Sequence, residues 1–330
     1  MQLPPQLAAA IQDEIAKSGI KPAELARAAE ELSRGYRAER KHKPQLDAVH
    51  RAAYLITRLP ATFAVISRIL LELRSRIPDA QIASLLDLGS GPGTAMWAAA
   101  EIFPDLSRIE LVEQSAAWID MGKHLANSSG QPALRSAVWR QSSVVDESPS
   151  GIFDLVTISY VLNELRSADA VSVVRAAWQR TAQFLLVVEP GTPSGFAAIR
   201  TMRDELIAAG ASVAAPCPHG RDCPIMGNDW CHFAQRIERS AEHRFAKSAK
   251  LGHEDEKFSY VLFSRARLAQ ADARILRHPA HHSGHVDLKL CTAEGLQQVT
   301  VSRREKERFR EAKRAVWGDA FLCTKPGPCQ

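Results

Sequence analysis

The stretch Ile82–Gly93, IASLLDLGSGPG, joins an apolar run to three glycines at alternate positions. The apolar run is typical of a buried parallel strand, and a helical pattern follows from Thr94. Glycines are needed at such a junction, because the chain turns sharply there and a ligand has to approach bare backbone. The first turn of the helix adds a partial positive charge that suits a carboxylate or a phosphate. This stretch therefore predicts a strand, a loop and a helix arranged to bind a small ligand.

Strand-like runs and helical patterns alternate along the chain beyond this stretch. The further strand-like runs are RIELVEQS (108–115), FDLVTISYVL (153–162), QFLLVVEPG (183–191) and FSYVLFSR (258–265), and helical patterns cover 94–103, 115–127 and 167–182. Alternation of this kind predicts an open, doubly wound α/β sheet of the Rossmann-like type.

Changes of pattern divide the chain into four predicted regions. These are an N-terminal helical region (1–80), the ligand-binding α/β core (81–210), a cysteine-rich insertion with a helix (211–257), and the last core strand with a small basic β/α element (258–330). In the first region Pro60 is expected to kink or break a helix.

Two segments of the later regions carry finer predictions. The insertion ends in a helix-like segment, 232–250. In the basic element, alternating runs at 285–291 and 296–302 predict two strands, and a strongly basic helix is expected at 303–316.

Composition indicates an ordinary globular protein of 330 residues, with 45% hydrophobic and 24% charged residues. A net charge of +5 permits an anionic partner such as RNA without requiring one. The N-terminal sequence has neither a secretory signal pattern nor an Arg- and Ser-rich transit pattern, and the longest apolar runs have the length of strands. We therefore expect a cytoplasmic protein that does not associate with membranes and is monomeric when free.

The glycine loop has the spacing acidic-x-Gly-x-Gly-x-Gly, from Asp87 to Gly93. A dinucleotide fingerprint would need a glycine at position 94, which is Thr94. The pattern resembles motif I of the class I S-adenosylmethionine-dependent methyltransferases. The resemblance implies that Asp87 faces the amino group of the methionine moiety, that Gly89, Gly91 and Gly93 let the nucleoside lie close, and that Glu113 holds the ribose hydroxyls. A glycine turn without a ligand and an NAD-type site are the alternatives.

The catalytic residues are harder to assign than the ligand-binding residues. Asn163 and Glu164 follow the strand-like run 153–162, where such enzymes often place substrate-facing residues. The two side chains could equally cap the next helix. The sequence lacks the Asn/Asp-Pro-Pro-aromatic tetrad of many amino methylases at this point.

Three cysteines, Cys217, Cys223 and Cys231, lie in PCPHGRDCPIMGNDWCHF (216–233), separated by five and seven residues. A zinc ion usually takes its thiolate pairs from C-x2–4-C spacing, because both sulfur atoms must reach one ion. The wider gaps suit a [4Fe–4S] cluster, in which each iron takes one cysteine. A fourth ligand could be His219, His232 or Cys291. Zinc binding and free thiols remain the alternatives.

The segments CPHGRDCP, DWCHFAQR, LKLCTAEG and AVWGD, together with the glycine loop, resemble a methyltransferase-like family associated with the mitochondrial small ribosomal subunit, which has bacterial members. The resemblance runs from about residue 30 to 319. It implies a [4Fe–4S] cluster held by Cys217, Cys223, Cys231 and Cys291, and a role in assembly of the small subunit. It leaves two hypotheses, an rRNA methyltransferase and a non-catalytic assembly factor that binds S-adenosylmethionine. A radical S-adenosylmethionine enzyme would need a C-x3-C-x2-C run, which is absent.

Two basic segments are candidates for binding rRNA. One surrounds Tyr36 and includes Arg34, Arg37, Arg40, Lys41, His42 and Lys43; the other contains Arg303, Arg304, Lys306, Arg308, Arg310, Lys313 and Arg314. Clustered positive charge suits phosphates, although a solvated helix with Glu–Arg pairs would have a similar pattern. Phe309 and Trp317 are expected to face the core. His281, His282 and His285 are expected to be surface residues.

Overall fold

A computed structural model describes residues 2–37, 47–146, 150–247 and 250–323. The chain forms two compact units, one of Met1–Leu185 with Gln235–Glu256 and one of Leu186–Ala234 with Lys257–Gln330. This division differs from the four consecutive regions expected from the sequence. The reason is that strands distant in the sequence pair with each other, so that spatial neighbours do not follow chain order.

The helices of the structure are α1 (Pro5–Ser18), α2 (Pro22–Arg37), α3 (Ala48–Arg76), α4 (Thr94–Ile102), α5 (Ala116–Asn127), α6 (Pro132–Arg135), α7 (Ser167–Gln179), α8 (Pro193–Ala208), α9 (Ala241–Ala246) and α10 (Glu307–Arg314). The strands are β1 (Ser84–Leu88), β2 (Arg108–Glu113), β3 (Val138–Gln141), β4 (Phe153–Ser159), β5 (Thr181–Pro190), β6 (Ser212–Ala215), β7 (Phe233–Glu238), β8 (His253–Ser264), β9 (Ala273–Ile275), β10 (Ala280–His281), β11 (His285–Thr292), β12 (Gly295–Ser302) and β13 (Ala320–Phe321).

The main sheet has the strand order β3-β2-β1-β4-β5-β8-β6, with β7 paired to β8. Strand β1 pairs in parallel with β2 on one side and with β4 on the other, and β6 pairs antiparallel with β8. The chain therefore reverses its direction of winding at β1, which confirms the doubly wound α/β fold. In such sheets ligands bind outside the carboxyl ends of the strands at this switch point.

Helix α3 is a single helix of 29 residues that contains Pro60. Of the predicted kink or break at Pro60, the break does not occur, because most of this helix is buried and its packing outweighs the roughly 3 kcal/mol that an interior proline costs. Among the described residues it is the one helix long and apolar enough to cross a membrane. However, 78% of its most apolar 18-residue window is buried inside the protein, which is the environment of a core helix.

The second unit contains a small antiparallel sheet of order β10-β11-β9-β13, with β12 paired to β11. The two strands predicted at 285–291 and 296–302 are β11 and β12, paired from His285↔Ser302 to Thr292↔Gly295. Phe309 of α10 packs into the core of this sheet, and Trp317 is also buried, as expected.

Two of the helix predictions need correction. The segment 232–250 begins with strand β7, in which Phe233 packs against Phe258 and Tyr260, and only its later part forms the short helix α9. The basic helix is interrupted at Lys306, whose φ is 43°, after a 3-10 turn whose capping box joins Ser302 and Glu305. The left-handed backbone at Lys306 ends the 3-10 turn, so α10 begins at the next residue, Glu307.

Candidate functional site

The switch point of the sheet opens into a cavity of about 670 Å³ within the first unit. The glycine loop that follows β1 forms one wall, and its backbone is tied to β2 because Gly89 N and Ser90 N both donate to Val112 O, at 2.9 and 3.1 Å. Other walls come from α3, α5 and the segments after β3 and β4. The side chains that line these walls include Tyr54, Thr62, Ile66, Trp118, Ser142, Ser143, Tyr160 and Glu164.

Asp87 lines this cavity and is 2% exposed. Thr157 donates a hydrogen bond of 2.6 Å to its Oδ1, whereas its Oδ2 is buried without a hydrogen-bond partner. Burial raises the pKa of Asp87 to about 7, although the bond from Thr157 acts in the opposite direction. A buried carboxylate oxygen without a partner is unfavourable unless a ligand donates a hydrogen bond to it. A cationic donor stabilises the carboxylate most, because hydrogen bonds between charged groups are the strongest.

Glu113, at the end of β2, is 7% exposed and also lines the cavity. Its carboxylate accepts hydrogen bonds from Gly91 N at 2.9 Å and from Ser115 N at 2.8 Å. Burial raises the pKa of Glu113, while these two hydrogen bonds lower it. Each oxygen keeps a further lone pair, so Glu113 can hold the glycine loop in place and still accept from a ligand diol.

The loop glycines have left-handed backbone conformations, which other residues rarely adopt. At Gly89 (φ 71°) an added Cβ would lie 2.4 Å from Cγ2 of Val161, whereas at Gly91 (φ 53°) it would meet nothing within 4 Å. Gly89 is therefore required by the packing of the protein itself, and the open space at Gly91 is available to a ligand.

The two predicted catalytic candidates lie in a 3-10 turn, Leu162–Glu164, after β4. Glu164 lines the cavity, and Asn163 does not. Helix α7 begins three residues later, so neither side chain serves as its N-cap. Tyr160, which was not predicted from the sequence, also lines the cavity and has a φ of 62°. Left-handed backbone at a large residue is unusual and concentrates at functional sites, but no sequence signal identifies it.

A second cavity, of about 40 Å³, lies within the second unit. All four predicted ligand cysteines, Cys217, Cys223, Cys231 and Cys291, line it. The structure thus places Cys291 of β11 in the wall of the same cavity as the three cysteines of the loop. About 10–15 Å³ already holds one water, so the space is sufficient for more than a single water.

The four thiols are free, and burial raises the pKa of Cys223, Cys231 and Cys291, which disfavours the thiolate form of these three in the absence of a cation. Burial raises the pKa of Cys291 to about 12, with Cys217 and Cys223 adding to the shift. Burial and the three neighbouring cysteines also raise the pKa of Cys231 well above its ordinary value. Metal ions that bind thiolates remove this penalty, because they supply the positive charge directly.

The two histidines proposed as alternative ligands differ in position. His219 lines the cysteine cavity, and its Nε2 lies 3.9 Å from Cys291 Sγ. His232 is not among the residues lining it, since its ring stacks on Trp230 with centroids 5.0 Å apart. His219 therefore stays a candidate fourth ligand for zinc, and His232 does not.

Two buried arginines, which the sequence analysis missed, also line the cysteine cavity. Arg203 is 3% exposed and donates to His219 O at 3.1 Å and to Arg221 O at 2.5 Å, both within the cysteine loop. Arg274 is 2% exposed and donates to Pro216 O and Gly318 O, at 2.8 Å each. The guanidinium groups hold the loop backbone and place positive charge beside the sulfur atoms.

Comparison with known proteins identifies relatives of this chain. Residues 48–322 match the family described as mitochondrial small ribosomal subunit Rsm22. The human ribosome assembly protein METTL17, mitochondrial, is 34% identical over 293 residues, which cover 83% of this chain and 62% of the human protein. The Schizosaccharomyces pombe Rsm22-cox11 tandem protein 2, mitochondrial, is 24% identical over 82% of this chain and 42% of its own length. The chain thus spans less than two thirds of these curated relatives.

Solved structures that resemble the chain include magnesium protoporphyrin IX methyltransferase from Synechocystis PCC 6803 with bound SAM. The TM-score is 0.42 at 11% identity, and the match covers 68% of this chain and 87% of the methyltransferase chain. Another is a putative RNA methyltransferase from Pyrococcus horikoshii, at a TM-score of 0.40 and 14% identity, covering 61% and 84%. The match to the family extends over most of the sequence, from α3 to the residue after β13. The chain, whose core is the doubly wound α/β sheet described above, is therefore a member of the Rsm22 family.

Proposed function

We propose that the cavity at the switch point binds S-adenosylmethionine. The observation that carries the proposal is the buried Oδ2 of Asp87, which lacks a partner and would accept from the ammonium group of the methionine moiety. Glu113 would accept from the ribose hydroxyls, and the open space at Gly91 would admit the nucleoside. When bound, S-adenosylmethionine supplies an electrophilic methyl group.

The glycine loop offers a matched pair of variants that separate stability from binding. Gly89→Ala combines left-handed backbone with a clash against Val161, and we expect it to lower the free energy of unfolding by about 3 kcal/mol. Gly91→Ala introduces the backbone strain without the clash, so we expect the free energy of unfolding to fall by only about 1 kcal/mol. We expect its affinity for the ligand to fall strongly, because the added methyl group occupies the space open to the nucleoside. Thermal denaturation and calorimetric titration with S-adenosylmethionine would measure both. Equal stability losses in the two variants would contradict the packing around Gly89.

The raised pKa of Asp87 predicts a pH dependence. The folded chain holds the Asp87 proton more tightly than the unfolded chain, whose carboxyl titrates near 3.8, so the stability of the ligand-free protein falls as pH rises towards 7. A cationic ligand binds the ionised form. We therefore expect affinity for S-adenosylmethionine to increase on the order of tenfold from pH 5.5 to pH 7, as the carboxyl ionises. Titration calorimetry would detect this rise, and an Asp87→Asn variant should lack it.

We propose further that the four cysteines hold a [4Fe–4S] cluster. All four lie in the described part of the chain, and no three of their sulfur atoms lie within 4.8 Å of one another. A single tetrahedral zinc, with Zn–S bonds of about 2.3 Å, would need sulfur separations of about 3.8 Å. A cluster with four thiolate ligands carries net negative charge, which the guanidinium groups of Arg203 and Arg274 would offset.

The basic segment 303–314 supports an RNA partner, although one of its predicted RNA-binding side chains is buried. Of its seven positive side chains, six are exposed, whereas Arg308 is buried and bonded to Glu305 at 2.9 Å. In the other basic segment, Arg40, Lys41, His42 and Lys43 lie outside the described residues. The names of the relatives connect the family with the small ribosomal subunit and with ribosome assembly. We accordingly propose that this chain acts on the rRNA of the small subunit, with the cytoplasm as its expected location.

We propose that the action is methyl transfer to an rRNA nucleophile. Glu164 and Tyr160 line the cavity at the segment after β4, where a substrate group could meet the methyl carbon. Placing the two reactants in line would supply most of the rate enhancement. A specific observation favours the second candidate, a non-catalytic assembly factor: the described residues that line the cavity include no His, Lys or Cys to take a proton or attack.

Mass mapping of small-subunit rRNA separates the two candidates. Cells lacking the protein would be complemented with the wild type, with Asp87→Ala, or with Asp105→Asn, a change at an exposed carboxylate. A methyl mark restored by the wild type and the control, and not by Asp87→Ala, is the result expected of a methyltransferase. An unchanged map with defective subunits would contradict methyl transfer and leave the assembly factor.

A further inference from the structure

A cluster of two histidines and one aspartate lies at the β10–β11 hairpin of the small sheet, outside both cavities. His282 Nε2 lies 3.3 Å and His285 Nε2 lies 3.7 Å from the same oxygen, Oδ2 of Asp287. One ligand atom from each of the three residues lies within 4.8 Å of the others, and among the described residues this is the one such set. Their side chains are 41 to 47% exposed, so an ion in solution can reach them.

The hairpin backbone fixes the positions of these side chains. His285 and Asp287 are two residues apart on β11 and therefore project from the same face. His282 N donates to His285 O at 3.0 Å across the turn. Arg303 holds the intervening turn from the end of β12, since its backbone N donates to Gly284 O at 2.9 Å and its side chain donates to Ser283 O at 2.7 Å.

The carboxylate and the imidazoles are also oriented by their neighbours. Thr300 of β12 donates a hydrogen bond of 2.6 Å to Asp287 Oδ1, which leaves Oδ2 directed towards the histidines. The rings of His282 and His285 are stacked, with centroids 4.3 Å apart and planes at 15°. Outer hydrogen bonds of this kind orient ligand carboxylates in metal sites.

We propose that His282 Nε2, His285 Nε2 and Asp287 Oδ2 bind one divalent transition-metal ion of the zinc class, with water completing the coordination. Two imidazoles and one carboxylate suit zinc and its neighbours, whereas magnesium and calcium prefer oxygen ligands alone. Tetrahedral bonds of about 2.0–2.2 Å place ligand atoms about 3.4 Å apart. The observed separations of 3.3 and 3.7 Å require little adjustment. The bound ion would join the hairpin turn to β11 and add positive charge beside Arg303.

Zinc titration of the purified full chain, with its cysteine site loaded as isolated, tests the proposal. We expect the wild type to bind one further equivalent of zinc by calorimetry, and His282→Ala and Asp287→Asn to lose that equivalent. His281→Ala is the matched control, because His281 is an exposed neighbour on β10 outside the set. Thr300→Val removes the outer hydrogen bond and should weaken binding about 10–100-fold.

A second readout guards against effects on folding. All three ligand side chains are partly exposed, so the variants should unfold near the wild-type temperature without zinc. Added zinc should raise the unfolding temperature of the wild type and of His281→Ala, because it binds the folded state, and leave that of His282→Ala unchanged. The same zinc isotherm in the wild type, His282→Ala and Asp287→Asn would overturn the proposal, as would no binding by the wild type. The comparison of the wild type with His282→Ala and Asp287→Asn holds whatever the cysteine site contains, because these variants leave that site unchanged.

Discussion

Replacing Cys223 by serine is expected to prevent binding of the proposed iron–sulfur cluster and to remove most of the soluble protein. Cys223 lines the cysteine cavity together with Cys291, so the change removes one corner of a site that joins the loop to β11. Metal binding of this kind is coupled to folding, with apparent free energies of about 10 kcal/mol or more in small zinc domains. A loss of that size is comparable to the entire stability of a typical domain. Soluble yield, iron content and absorbance near about 400 nm would report the effect.

Met226 offers a matched control for this experiment. It belongs to the same loop and carries a sulfur atom, but it is 73% exposed and does not line the cavity. Met226→Ser should therefore keep the colour, the iron and the yield of the wild type. If Cys223→Ser retained full iron content, Cys223 would not be a ligand and the proposed set of four would be wrong.

Replacing Asp87 is expected to have opposite effects on ligand binding and on the stability of the ligand-free protein. Asp87→Ala removes the acceptor for the ammonium group, and a hydrogen bond between charged groups contributes about 1.5–3 kcal/mol, so affinity should fall about 10- to 150-fold. Asp87→Asn keeps an oxygen for Thr157 but removes the buried charge. The pKa of Asp87 rises from 3.8 in the unfolded chain to about 7 in the folded chain. The ligand-free Asp87→Asn variant should therefore be more stable than the wild type at pH 8, by on the order of a few kcal/mol.

Calorimetric titration and thermal denaturation at pH 8 would measure the two effects. Asp105→Asn, at an exposed position of the same unit, should change neither quantity. An Asp87→Asn variant that bound S-adenosylmethionine as tightly as the wild type would show that the carboxylate does not face the ligand. A ligand-free variant less stable than the wild type would instead contradict the raised pKa.

The sheet and the glycine loop could be predicted because their signals are local. Each central strand is rich in apolar residues, and Asp87 and the loop glycines fall within seven consecutive positions. Glu113 was selected by the resemblance to the methyltransferases, which implies an acidic residue at the end of the next strand. By contrast, helix α3 runs through Pro60, and strand β7 replaces the start of a predicted helix. In both cases the tertiary packing of buried side chains overrode local preference.

The cysteine site could be predicted only in part. Three cysteines are close in the sequence, but Cys291 joins them through the pairing of β11 with β9, which no spacing rule contains. Only the family resemblance selected it. Arg203 and Arg274 gave no signal, because an arginine usually lies at the surface. They are buried here because backbone carbonyl groups of the cysteine loop accept hydrogen bonds from their guanidinium groups.

The central claim is that four cysteines distant in the sequence hold one iron–sulfur cluster. Analysis of iron, acid-labile sulfide and zinc in the full chain purified without oxygen tests it most directly. We predict brown protein with about four irons and four sulfides per chain and a negligible amount of zinc at the cysteines. Colourless protein with one zinc ion held by the cysteines would contradict it.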